Sequence, residues 1–108
     1  MRQAQVFYKD EFAGIIQETD EGYIFQYDGE YLVNPKSKPV SLTLPLQQKP
    51  FTSKVLFPFF DGLIPEGWLL NIALNNWKIN PNDRFSLLLT LCKDCIGCVS
   101  IISKEMVS

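Results

Sequence analysis

Histidine is absent from the 108 residues. That removes the commonest general base and the commonest metal ligand together. An enzyme built on this chain would have to run on carboxylates, lysine, tyrosine or cysteine. Cysteine is scarce too: three residues, an odd number, make no disulfide framework in a chain of this size. The six glycines stand apart from one another, with neither GxGxxG nor GxxxxGK[ST], so no phosphate-binding loop is present. No kinase catalytic loop or metal-binding DFG occurs either; Phe60-Asp61-Gly62 is FDG and falls in an expected helix. Charge of one sign is also lacking. Ten basic residues against twelve acidic ones leave a net charge of −2, which argues against a nucleic-acid surface made by this chain alone. The polar start, Met1-Arg2-Gln3-Ala4-Gln5, is followed by no apolar signal region. No apolar run reaches the roughly 18 residues of a membrane span. These absences lead to the expectation of a cytoplasmic protein with no membrane association.

What is present is a core. An apolar content of 46% is ample for one folded domain, taken as residues 1–108. The first half reads as strands and turns. Gln5–Lys9, Phe12–Gln17 and Gly22–Tyr27 are expected strands, joined by turns at Asp10-Glu11 and Thr19–Gly22. Gly14 marks a bulge or a close backbone approach. Short turns between consecutive strands imply an antiparallel meander. Asp28–Pro39 reads as a loop or short helical turn around Tyr31-Leu32. In Val40–Leu46, VSLTLPL, the alternation of Val40, Leu42, Leu44 and Leu46 predicts a half-buried strand that Pro45 ends or marks as a sheet edge. Gln47–Ser53 reads as a polar loop.

The second half reads as helices. Lys54–Leu63, Pro65–Trp77 and Arg84–Lys93 are the three expected helices, with Pro65 and Pro81 at first helical positions and Asn80 as an N-cap. Phe85, Leu87, Leu88, Leu89 and Leu91 cover nearly every side of the last one, which predicts burial. Cys98–Ser103 is an expected closing strand. Strands, then helices, then a strand give an α+β fold: an N-terminal antiparallel meander packed with about three helices.

The densest apolar block is Phe57–Trp77, which carries both tryptophans. On a wheel of about 100° per residue, Leu69, Leu70, Ala73, Leu74 and Trp77 share a core face. Trp68 and Ile72 fall one turn apart on the opposite side, among Asn71, Asn75 and Asn76. An apolar pair on a face that should be wetted marks a contact surface, and tryptophan is the residue most enriched at binding hot spots. The alternative is that another part of this chain covers Trp68. Pro65, Glu66 and Gly67 shape the approach to it.

Three other clusters carry possible chemistry. Cys92, Cys95 and Cys98 form CxxCxxC, a spacing that zinc or an iron–sulfur cluster uses. A closed site needs a fourth ligand, and the chain has no fourth cysteine and no histidine. The plainer reading is small residues packed at a helix-to-strand turn, so no metal or other cofactor is expected. Asp61 and Glu66 could form a carboxylate pair, but an acid in a first helical turn is sufficiently explained by the helix dipole. The aromatics Tyr23, Phe25 and Tyr27 could stack on single-stranded nucleic acid. Without flanking lysine or arginine they read as core.

Several of these stretches, taken together, resemble the N-terminal subdomain of HipA-type toxin kinases. They are Gly22–Tyr27, Tyr31-Leu32, the VSLTLPL of Val40–Leu46, the FFDGLIPEG of Phe59–Gly67 and the DCIGCV of Asp94–Val99. Order and spacing match along essentially the whole chain. In that family the subdomain precedes a serine/threonine kinase whose catalytic motifs lie far downstream. Those motifs are missing here, so the resemblance carries over no kinase activity, and a non-enzymatic protein is expected. It further implies that the three cysteines occupy positions where the family has small residues. Separately supplied forms of this subdomain, the HipS-type antitoxins of three-component HipBST systems, act in trans on a HipT-like kinase that lacks it, beside a HipB-like DNA-binding protein. The resemblance thus implies an antitoxin that neutralises a HipT-like kinase, in a complex that could include HipB. Longer HipA chains do not characteristically place tryptophan after the Pro-Glu-Gly-like turn. Partner contact is therefore expected from Trp68, Ile72, Pro65, Glu66, Gly67 and Asn71, with Trp68 at or near the kinase active site. The alternative is a non-inhibitory scaffold subdomain of a HipA-type kinase.

Overall fold

The computed structural model describes residues 2–64, 83–91 and 99–103. Among these described residues, eight elements follow in chain order: β1 (Gln3–Tyr8), β2 (Glu11–Thr19), β3 (Gly22–Tyr27), α1 (Gly29–Val33), β4 (Phe51–Ser53), α2 (Pro58–Asp61), α3 (Arg84–Leu91) and β5 (Val99–Ser103). The strands form one five-stranded sheet in the order β4-β3-β2-β1-β5, antiparallel throughout. The fold is α+β with an N-terminal meander, as the strand-then-helix pattern implies. The first and last strands are neighbours: Ala4 pairs with Ser103 and Tyr8 with Val99.

Local chemistry explains the meander. Lys9 and Asp10 are both left-handed, at φ 49° and 70°. Two consecutive positive φ values make the primed two-residue turn whose twist suits a hairpin. The turn is therefore Lys9-Asp10, one residue earlier than Asp10-Glu11, and Lys9 lies outside the strand. The register steps from Val6↔Gly14 to Phe7↔Phe12, leaving Ala13 as the extra residue of a bulge. Gly14 itself runs so close to β3 that a Cβ would collide with the Gln26 carbonyl. The close approach falls on the glycine itself, and the bulge one residue before it, at Ala13. Asp28 caps α1 by accepting from the backbone N–H groups of Glu30 and Tyr31.

One face of the sheet is the core. Val6, Ile16, Phe25 and Ile101 project from four strands onto Phe60 of α2 and Phe85, Leu87 and Leu88 of α3, all of them essentially inaccessible. Phe25 is the hub of an aromatic group, with ring centroids 4.9 Å from Tyr27, 5.4 Å from Phe60 and 6.3 Å from Phe51. The Tyr23–Tyr27 aromatics thus serve packing, and Tyr23 lies 5.6 Å from the Phe85 ring. Helix α3 is buried on the sides that Phe85, Leu87, Leu88 and Leu89 cover.

Three further expectations need correction. Val40–Leu46 is not a strand: it holds a single bridge, Ser41↔Leu44, while Leu42 is 96% exposed. Phe51–Ser53, assigned from sequence to a polar loop, takes the place beside β3 through Phe25↔Phe51 and Tyr23↔Ser53. Phe51 on that edge joins the aromatic group, whereas Pro45 has no N–H to give a ladder. The helix expected over Lys54–Leu63 is confined to Pro58–Asp61. Pro58 supplies no interior N–H and drives Phe57 to an extended conformation (ψ 135°), so the helix starts at the proline. The helix expected over Pro65–Trp77 lies outside the described residues.

Candidate functional site

Pro65, Glu66, Gly67, Trp68, Asn71 and Ile72 lie outside the described residues, as do Cys92, Cys95 and Cys98. The structure does show how both flanks of 65–82 are held. On the near side, Ile64 is buried, and its N–H donates to Asp61 O at 3.2 Å. On the far side, Asp83 receives two hydrogen bonds from Arg2, at 3.0 and 3.2 Å, and one from the Ser86 hydroxyl at 2.8 Å. Arg2 also grips Glu18 with two bonds of 2.8 Å and lies 5.2 Å from the Phe85 ring centroid. A further pair, Arg84 Nε to Asp61 Oδ1 at 2.6 Å, ties α3 to α2.

The electrostatics of this network follow from its partners. The Glu18 hydrogen bonds, with those of Asp83, hold the Arg2 guanidinium well above its ordinary range despite partial burial. For Asp83, burial pushes the carboxyl up, but hydrogen bonds from Arg2 and Ser86 and the Arg2 charge outweigh it. The net shift is downward. Asp61 is an ion-pair partner of Arg84, while Glu66, the other half of the carboxylate pair considered from sequence, lies outside the described residues. Sequence reasoning missed the roles of Arg2, Glu18 and Asp83 because the contacts span 16 and 81 residues and leave no local pattern. Among the described residues, no group of three or more His, Cys, Asp or Glu side chains is arranged to hold a metal ion.

The second feature is what SLTLPL becomes. Tyr27 is buried, and its hydroxyl accepts from Val40 N–H at 3.0 Å while donating to the Leu44 carbonyl. Burial pushes the phenol above its ordinary value, so it keeps the proton it donates. Val40 and Leu44 are buried to either side. Between them the Ser41 and Thr43 hydroxyls bond at 2.9 Å, and Leu44 N–H donates to Ser41 O at 3.1 Å. The result is a tight turn pegged from below with Leu42 at its tip. Tyr8, Pro39, Phe59 and Val99 line an apolar groove of about 360 Å³ beside it. Substituting Tyr27→Phe removes the peg and strands two buried backbone groups. It is expected to cost about 1–3 kcal/mol in denaturant unfolding and to speed amide exchange at Val40 and Leu44.

The comparisons with known proteins bear on this arrangement. The family model described as the HipA N-terminal domain matches residues 4–102. An uncharacterized protein of Haemophilus influenzae is 37% identical over 101 residues, which cover 94% of this chain and 92% of that one. The putative kinase Y4mE of Sinorhizobium fredii is 26% identical over 106 residues. These are 97% of this chain but only 25% of the kinase. Among solved structures, an N-terminal domain of HipA toxin superposes with a TM-score of 0.75 at 34% identity, covering 98% of this chain and 95% of that one. A chain of the Shewanella oneidensis HipA, HipB and operator DNA complex also gives a TM-score of 0.75, at 17% identity, over 94% of this chain and 24% of that one. At that identity the likeness is one of fold.

Proposed function

The chain belongs to the HipA N-terminal domain family, and from that premise we propose that it is a non-enzymatic, HipS-type antitoxin that binds a HipT-like serine/threonine kinase in trans and neutralises it. The observation that carries this reading is how the domain is distributed among its relatives. It makes up nearly all of the Haemophilus influenzae protein and a quarter of the putative kinase Y4mE. A domain that occurs both alone and joined to a putative kinase is suited to rejoin one as a separate chain. A HipB-like DNA-binding protein is the further partner, by analogy with the Shewanella oneidensis complex.

Neutralisation by this chain is steric. Trp68, with Asn71 and Ile72 three and four residues on, enters the kinase at or near its nucleotide cleft, and Pro65, Glu66 and Gly67 set its approach. Residues 1–108 act as one domain in this role. Blocking a cleft needs no acid, base or metal from the inhibitor, which agrees with a sequence lacking histidine. The ionic network at Asp61 and Asp83 supports the proposal because it holds both flanks of the inhibitory stretch.

The second reading is a scaffold subdomain that stabilises a HipA-type kinase without inhibiting it, favoured by the match to one quarter of Y4mE. Co-expression separates the two. The antitoxin restores growth to cells expressing the kinase and co-purifies with it. A scaffold co-purifies and leaves the growth arrest in place.

A further inference from the structure

The turn that displays Leu42 belongs to a larger surface. Tyr8 lines the apolar groove and also a smaller cleft, about 110 Å³, shared with Lys9, Glu11, Lys36 and Lys38. That volume is too small for a drug-sized ligand, which needs roughly 300 Å³ or more. Groove and cleft are therefore read as one docking face, with an apolar centre and a basic rim. Lys9, Lys36 and Lys38 are exposed, and none joins an ion pair among the described residues. Lys9 lies 5.9 Å from the Tyr8 ring. Three lysines facing one glutamate make this rim positive on a chain whose net charge is −2.

Both halves of the face are pegged. Tyr31 accepts from Lys38 N–H at 3.3 Å and donates to the Lys38 carbonyl at 2.5 Å, fixing the lysine loop as Tyr27 fixes the Leu42 turn. Asn34 Oδ1 accepts from Lys36 N–H at 3.0 Å. The rings of Tyr27 and Tyr31 stack at 6.0 Å, nearly parallel, so the two pegs are coupled. A leucine 96% exposed on an immobilised turn loses little freedom on binding, and that favours affinity.

We propose that this face, Leu42 with its groove and the rim of Lys9, Lys36 and Lys38, docks an acidic, apolar segment of a protein partner. The proposal rests on the antitoxin reading in taking the HipT-like kinase as that partner. It adds a second contact, separate in sequence from Trp68. Charge complementarity selects the occupant. Apolar side chains of the partner fill the groove beside Leu42, and its carboxylates face the lysines. Buried apolar contact supplies lifetime, and the exposed charges supply encounter rate and salt dependence.

The test measures affinity for the HipT-like kinase at about 50 and 300 mM salt, for wild type, Leu42→Ala and the triple variant Lys9→Glu/Lys36→Glu/Lys38→Glu. All four positions are exposed, so the variants should fold as wild type does. The expected result is at least a tenfold loss for Leu42→Ala at both salts. The triple variant should lose at least tenfold at low salt, with a flattened salt dependence. Wild type and both variants binding alike would overturn this inference and leave the antitoxin reading standing. Absence of wild-type binding would overturn both. If the triple variant keeps its kinase affinity but loses affinity for duplex DNA, the lysines serve nucleic acid and the inference fails.

Discussion

Replacing Phe25 by alanine is expected to remove about 3–5 kcal/mol of stability. The ring is fully buried at the centre of the sheet and touches the rings of Tyr27, Phe51 and Phe60. Its loss combines the transfer cost of the side chain with a cavity that three fixed neighbours cannot fill. Edge-to-face and tilted ring contacts are forfeited as well, each worth about 0.5–1.5 kcal/mol beyond burial. A domain of this size has roughly 5–15 kcal/mol in hand, so the variant should populate unfolded chains on mild heating. Phe25→Leu keeps most of the volume and should lose markedly less. Denaturant titration of the two variants beside wild type checks the ordering. Equal, small losses would mean that the aromatic group is not what fastens β4 and α2 to the sheet.

The sheet shows which signals a sequence carries plainly. Alternation and turn residues place β3 to the residue and β1 and β2 to within two residues at either end, because each strand's pattern is local and Gly14 and Gly22 punctuate it. Alternation misled at Val40–Leu46, where the same spacing of apolar residues serves a turn. Val40 and Leu44 go inward and Leu42 outward, under the control of a hydroxyl 13 and 17 positions away. No window of a few residues contains Tyr27, so the turn could not be read locally. The same reasoning hid β4. Three residues are too few for a periodic signal, and Phe51 is held by its packing on Phe25. The α2 boundary was legible in Pro58 and was overridden by the apolar run around it.

The candidate site divides in the same way. Trp68 and Ile72 stand out in sequence because they break a helical pattern of their own stretch, and they lie outside the described residues. The alternation of Val40–Leu46 predicts a buried strand face for Leu42, and only the fold shows it almost fully exposed. The lysine rim was invisible for another reason. Lys9 lies on the β1–β2 turn and Lys36 and Lys38 on the loop after α1, three residues brought to one cleft by the sheet. A net charge of −2 gives no sign of a local basic surface. Whole-chain charge constrains an averaged field and says little about a cleft a few ångströms across.

Trp68→Ala is expected to weaken binding to the HipT-like kinase by about thirtyfold to a thousandfold, the equivalent of roughly 2–4 kcal/mol for a fully buried aromatic anchor. Growth rescue should fail with it while the purified variant keeps the wild-type unfolding midpoint. The argument is one of chemistry at a single position. A tryptophan among Asn71, Asn75 and Asn76 on the polar side of a helical pattern gains nothing from solvent and a great deal from a pocket. Titration calorimetry and a kinase activity assay divide the outcomes. Weak binding with little inhibition makes Trp68 the anchor of the complex. Near-normal binding with lost inhibition assigns docking to other contacts, the Leu42 face among them, and leaves Trp68 the blocking element. Unchanged binding and unchanged inhibition would remove Trp68 from the mechanism altogether. The double variant Leu42→Ala/Trp68→Ala then measures whether the two contacts act separately. Free energies that add place them on independent patches of the kinase, and a coupling above about 0.5 kcal/mol means that engaging one positions the other.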